Sequence, residues 1–236
     1  MPSEETSASS HEIILKPFFE KADRIIRNLN DLEKEHRRKN FEKEISEIRE
    51  KFLKVQNFCI PRISLATGHQ FTHPNLFLFI FLYKEIKSLF NKAKTNPVQQ
   101  GSQSFLSTDE LNEMELVSKD RLTLAYIGDA ALETGVLINI WLQDDPGIPL
   151  KSHLHNEREK LLKNEPLSRF WDSLDLYDQE ILVKPSDESV ETKGSFMEAV
   201  FGIIYLEEGP AAVEGSLHSL LKYYKQTQQN AAVEKT

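Results

Sequence analysis

The chain has 236 residues, enough for one sizeable core or for a core with a small accessory unit. With 39% hydrophobic and 28% charged residues it is neither disordered throughout nor a membrane protein, and a net charge of −8 weighs against a coat that holds nucleic acid by bulk attraction. The single cysteine, Cys59, excludes an internal disulfide and a cysteine metal cage, and suits a reducing cytoplasm.

The N-terminus "MPSEETSASS" is polar and lacks a signal-peptide core, so residues 1–11 are expected to form a disordered tail. From about 12 to 56, apolar residues recur at three- and four-residue steps. Phe18, Ala22, Ile25, Ile26, Leu29 and Leu32 form one stripe; Phe41, Ile45, Ile48, Phe52 and Val55 form another. This predicts two helices or one long broken helix. The basic run His36 to Lys39 alternates with Glu33, Glu35, Glu42 and Glu44, the pattern of a solvated face. "CIPRISLATGHQFTHPN" carries two prolines and a glycine and reads as irregular; its His69 and His73 have no nearby carboxylate or cysteine cluster, a weak metal signal. "LFLFIFLY", residues 76–83, is far shorter than the roughly 20 residues a membrane span needs, so it opens a core helix that runs to about residue 94.

"TNPVQQGSQSFLSTDE" replaces the apolar pattern with Pro, Gly, Ser, Gln and Asn, and reads as a linker over 96–107. It divides an N-terminal helical accessory region, 12–95, from a core over 108–226, with a frayed tail at 227–236. The accessory region is expected to be dispensable for folding of the core but not for substrate choice, with Arg24, Arg27, Arg37 and Arg38 available as grips. Ser107 and Glu110 have capping-box spacing. Beyond them helices are expected at 109–117, 120–143, 150–163, 166–173, 176–182, 191–207 and 210–226. No segment alternates like a strand and no repeat is present, so the fold class is all-α.

Two of these helices carry a costly feature. "LTLAYIGDAALETG", 122–135, is apolar nearly all round, yet holds Gly128 and Asp129, with Glu133 a turn later. "GSFMEAVFGIIYLEEG", 194–209, is likewise apolar and holds Glu198 and Gly202. Glycine costs about 1 kcal/mol against alanine inside a helix, and a buried unpaired carboxylate costs several kcal/mol. Glycine also lets two backbones approach closely. If the helices cross near Gly128 and Gly202, Asp129 and Glu198 converge. Two carboxylates in one low-dielectric place repel, and a hard divalent cation such as Mg²⁺ removes the conflict. The alternative is a pair of structural acids satisfied by backbone N–H groups or basic side chains.

"RLTLAYIGDAALE" resembles the signature of the ribonuclease III family, approximately E-R-L-E-F-L-G-D-A-V-L-E. "SFMEAVFGIIYLEEG" resembles its second acidic motif, and "HLHNEREKLLKNEPLSRF" is similar to the helix between the two. The resemblance covers roughly 108–226. It implies an all-helical endonuclease domain that dimerises and cleaves double-stranded RNA with Mg²⁺, Mn²⁺ being a possible substitute. It assigns Asp129 and Glu198 as catalytic metal-ligand pair, Glu133 as a supporting acid and Arg158 as a basic residue that helps to fix the site. Two of the four family acids are replaced, by Ala125 and Ser195. Alanine at the first of these positions is closest to the compact Mini-III branch. That branch also lacks a separate double-stranded-RNA-binding domain, and none is expected in the tail after residue 226.

The leading expectation is therefore a Mg²⁺-dependent endoribonuclease on structured RNA, homodimeric and cytoplasmic, leaving 5′-phosphate and 3′-hydroxyl ends. The losses at Ala125 and Ser195 keep open a non-catalytic RNA- or protein-binding scaffold. A metal-dependent hydrolase on another phosphodiester is a third possibility.

Overall fold

A computed structural model describes residues 10–31, 41–95, 108–143, 151–176 and 188–233. The basic run 36–39, the linker 96–107, all but the first residue of the helix expected at 176–182, and the extreme tails lie outside the described residues. Every regular element among those described is a helix, and the fold is all-α.

Helix α1 spans Ser10–Asp31 and α2 Glu42–Lys54. The chain then stays helical where an irregular stretch is expected: a π turn over Val55–Cys59 leads into α3, Ile60–Thr67. Pro61 sits at the start of α3 and has no N–H to give to the ladder, and the widened turn just before it carries the helix past that gap. Gly68 ends α3 in the left-handed region, φ 70°, and donates its N–H to the Ser64 carbonyl at 2.8 Å. A 3₁₀ turn, Pro74–Leu76, precedes α4, Phe77–Phe81, and α5, Tyr83–Thr95. The expected single helix from 76 to 94 is thus broken at Leu82, where ψ reaches 8°. Leu76 through Leu82 are all buried, as a core helix requires.

Helix α6, Thr108–Gln143, is continuous through 118–119, where the sequence pattern suggests a break. Next to that point Asp120 makes a close ion pair with Lys21 of α1, itself buried, and burial raises the Asp120 carboxyl against that pull. Helices α7 (Lys151–Leu162), α8 (Asn164–Ser173), α9 (Val190–Glu208) and α10 (Pro210–Val233) follow. Ser189 caps α9, its hydroxyl accepting from the Thr192 N–H at 3.2 Å. Helix α10 runs past Gln226, where fraying is expected; alanine and glutamine in that stretch are good helix formers.

The most extensive packing is between α6 and α9. Helix α8 flanks α9, α5 lies along α6, and α10 bridges α6 to α3. One buried cluster runs from Ala22 and Ile25 through Val55, Ile63 and Phe77 to Leu124, Phe201 and Leu220. A core that folds without residues 12–95 does not fit this packing, because α4 and the buried faces of α1 and α3 are part of the same interior. A chain beginning at Ser104 is expected to lose the cooperative melt of the full chain. Cooperative melting of that fragment, followed by circular dichroism, would restore the separable-domain reading.

Candidate active site

Helices α6 and α9 cross where their glycines stand. A Cβ on Gly128 would lie 1.7 Å from the Glu198 carbonyl oxygen and 2.7 Å from the Gly202 nitrogen. A Cβ on Gly202 would lie 2.1 Å from the Leu124 carbonyl oxygen. The backbones touch with no room for a side chain between them. Ala125, Ala131 and Ala199, all buried, widen the close approach along both helices.

Asp129 and Glu198 flank this crossing, each half-buried. The Glu198 carboxyl is pushed up to about 7, first by burial and then by the charge of Asp129; the Arg121 guanidinium opposes the rise. No cationic side chain among the described residues pairs with Asp129. The two altered positions lie beside the pair. Ala125 is buried one turn before Asp129 on α6, and Ser195 is half-buried one turn before Glu198 on α9. Ser195 accepts a hydrogen bond from Arg121 Nη1 at 3.1 Å.

Glu133 faces Arg158 of α7, whose Nε stands 3.2 Å from Glu133 Oε1. The approach is off the hydrogen-bond direction, and Nε is left without a hydrogen-bonded acceptor. Both side chains are about one-third exposed, so the pair contributes at most about 1 kcal/mol. Glu133 and Arg158 therefore tie α6 to α7.

The family of the ribonuclease III domain matches residues 122–209. The chain carries a ribonuclease III domain. Comparison with curated proteins and with solved structures finds no match. The ribonuclease III match begins at Leu122 and ends at Gly209, the glycine with φ 81° that closes α9, so it encloses both halves of the crossing.

Near that C-terminal limit, Glu207 of the ribonuclease III domain is almost fully buried and holds the loop after α3. Its Oε1 accepts from the backbone N–H of Thr72 at 3.1 Å and of His73 at 2.8 Å, and from the Thr72 hydroxyl. Its Oε2 meets His69 Nε2 at 2.7 Å. His73 in turn stacks on Phe19 of α1, ring centroids 3.4 Å apart. The two histidines weighed as metal ligands thus converge on this one carboxylate. Glu207→Gln keeps the shape but removes the charge from several hydrogen bonds, and is expected to lower stability by about 2 kcal/mol in urea unfolding. An unchanged midpoint would show that the loop is held by other contacts.

Arg121 and Glu207 are the residues that sequence reasoning missed here. Glu207 lies inside the second acidic motif, whose pattern ends in an acid and a glycine, so its position was visible although its partners were not. Arg121 borders the signature but matches no motif position.

Proposed function

We propose that this chain is a Mg²⁺-dependent endoribonuclease on structured or double-stranded RNA, leaving 5′-phosphate and 3′-hydroxyl ends, with Asp129 and Glu198 holding the ion. The ribonuclease III domain supports a ribonuclease-type activity on double-stranded RNA. The observation that carries the finer reading is the Glu198 carboxyl raised to about 7 beside Asp129 at a crossing that admits no side chain. Such a pair is costly without a cation and suited to one. Among the described residues no cluster of three or more His, Cys, Asp or Glu side chains forms a metal cage. Two carboxylates fit Mg²⁺, which keeps several waters and shares ligands with a phosphate.

When bound, the ion supplies Lewis-acid stabilisation of the phosphoryl charge and activates the attacking water. The chain's own part is to fix the two carboxylates on rigid helices, where the glycine contact sets their separation. Burial around Glu198 keeps competing water away and strengthens each charge interaction. Incubation with double-stranded RNA and Mg²⁺ tests the reading: wild type is expected to cleave far above an Asp129→Asn control, and no cleavage above that control would defeat it.

A second reading, an RNA-binding scaffold without cleavage, is favoured by Ala125 and by the Arg121 hydrogen bond at Ser195, a cation where the family pattern has an acid. The resemblance of the signature to the Mini-III form belongs to the first reading. We place the activity in a reducing compartment such as the cytoplasm, which suits a chain with a single cysteine, the buried Cys59. No helix of the described residues is long and apolar enough to cross a membrane.

The active form is proposed to be a homodimer. Leu122 and Tyr126 of α6 are 55% and 77% exposed, and Ala130, Thr134 and Ile138 continue the same four-residue spacing on the surface. A self-complementary stripe of this kind forms an isologous interface. Light scattering at micromolar concentration is expected to give twice the chain mass, and Tyr126→Glu to halve it; a wild-type monomer overturns the assignment.

A further inference from the structure

Arg121 is a charged side chain beside the acids that the reading above does not use. Its guanidinium carbon lies 4.6 Å from the Tyr83 ring centroid and 5.6 Å from that of Phe196, so it is clamped between α5 and α9. Nη1 donates to Ser195 Oγ at 3.1 Å. Nε is buried and has no hydrogen-bonded acceptor. An arginine has five N–H donors and does not shed its charge; among the described residues Ser195 accepts from one of them, and the half-buried guanidinium has terminal donors left for an acceptor that arrives from outside.

The position says which acceptor. Ser195 lies one helical turn before Glu198, so the guanidinium stands on the side of the carboxylate pair. The carboxylates invite a divalent cation, and a guanidinium fixed beside them invites an anion. A phosphodiester offers oxygens to both at once. Stacking on two rings holds the planar fork in one orientation before the ligand arrives, which lowers the ordering cost of binding.

We propose that Arg121 is a phosphate-binding residue of this site, receiving a non-bridging oxygen of the RNA backbone one helical turn from Glu198. The assignment rests on the ribonuclease reading of the crossing. It also gives the accessory helices a part in the chemistry, because Tyr83 opens α5 and holds one face of the guanidinium.

The test measures binding of a short double-stranded RNA to the full chain by fluorescence anisotropy, in EDTA, across a range of salt concentrations. Arg121→Met is expected to bind about tenfold more weakly, as loss of a charged hydrogen bond implies. Its plot of log affinity against log salt should be flatter by about 0.9, one phosphate contact fewer. Arg121→Lys should keep the slope and lose a few-fold in affinity, since a point charge replaces the fork. Arg121→Gln serves in place of the methionine variant if that one does not fold, with the same expectation. A lower melting temperature with an unchanged slope would mean that Arg121 only braces the helices, and overturns the assignment. Cleavage in Mg²⁺ is read separately. Wild type that binds RNA without cutting retires the endonuclease reading, and the slope still decides Arg121. Wild type that cuts while the Arg121→Met slope is unchanged retires Arg121 alone. Wild type that binds no RNA retires both.

Discussion

Alanine at position 128 is expected to abolish the folded state or to lower its melting temperature by about 10 °C or more. The new methyl carbon would sit 1.7 Å from a backbone carbonyl oxygen of α9, and a carbonyl in a helix cannot turn aside as a side-chain tip can. The two helices must separate, and they form the largest helix–helix contact of the core. Overpacking a tight interior costs about 3 kcal/mol or more when the neighbour is rigid, and each kcal/mol moves the melt of a chain this size by roughly 2–4 °C. Gly215 of α10 provides the opposite sign. Nothing lies within 4 Å of a Cβ built there, so Gly215→Ala should gain about 1 kcal/mol from helix propensity alone. Thermal melts of the two variants separate close packing from propensity. Equal small effects would mean that the helices are not in contact at Gly128.

Removing the charge of Glu198 should have its main effect on cleavage, with an opposite effect on the stability of the metal-free protein. The folded carboxyl sits at about 7, raised from an ordinary 4.5, so between those values the folded state holds a proton that the unfolded chain has released. Stability is full below about pH 4.5 and falls as pH rises from there through 7, by about 1–2 kcal/mol once solvent screening of the half-buried group is allowed for. Glu198→Gln removes that loss. Without metal the variant should match wild type at pH 4.5 and be more stable than it at pH 8. Asp129→Asn should move the same way by relieving the repulsion. Wild type should gain stability from millimolar Mg²⁺ by binding to the native state, and the variants should not. Cleavage should fall by roughly a thousandfold in either variant, the several kcal/mol an ion gives the transition state. A clearly lower metal-free melting temperature at pH 8, with an undiminished Mg²⁺ response, would return both acids to a structural role.

What could be read beforehand follows from where the determining contacts lie in the chain. The crossing of α6 and α9 was legible because a glycine inside an apolar helix has few uses, and two such glycines, each near an acid, constrain each other. The burial of Leu76 to Leu82 was legible from a run with no polar face. The continuity of α6 was not, because Ser118 to Asp120 looks like a polar break until Lys21, from the far end of the sequence, supplies the partner for Asp120. The helix over 60–67 was hidden by Pro61, which ordinarily stops a helix and here follows a π turn. Arg121 carried no signal in the sequence, since its ring partners Tyr83 and Phe196 come from separate stretches. Local pattern gave the elements, and the partners that fix them are tertiary.

The shared interior also sets an order on synthesis. Helix α4 leaves the ribosome with every residue from Phe77 to Phe81 destined for burial, yet α9, which packs against it, is made more than one hundred residues later. At about 5–20 residues per second this leaves an apolar helix uncovered for roughly ten seconds. The nascent chain therefore carries its most aggregation-prone segment through most of its own translation, and its yield in the cell should depend on chaperone supply and on elongation rate more than the finished protein's stability suggests.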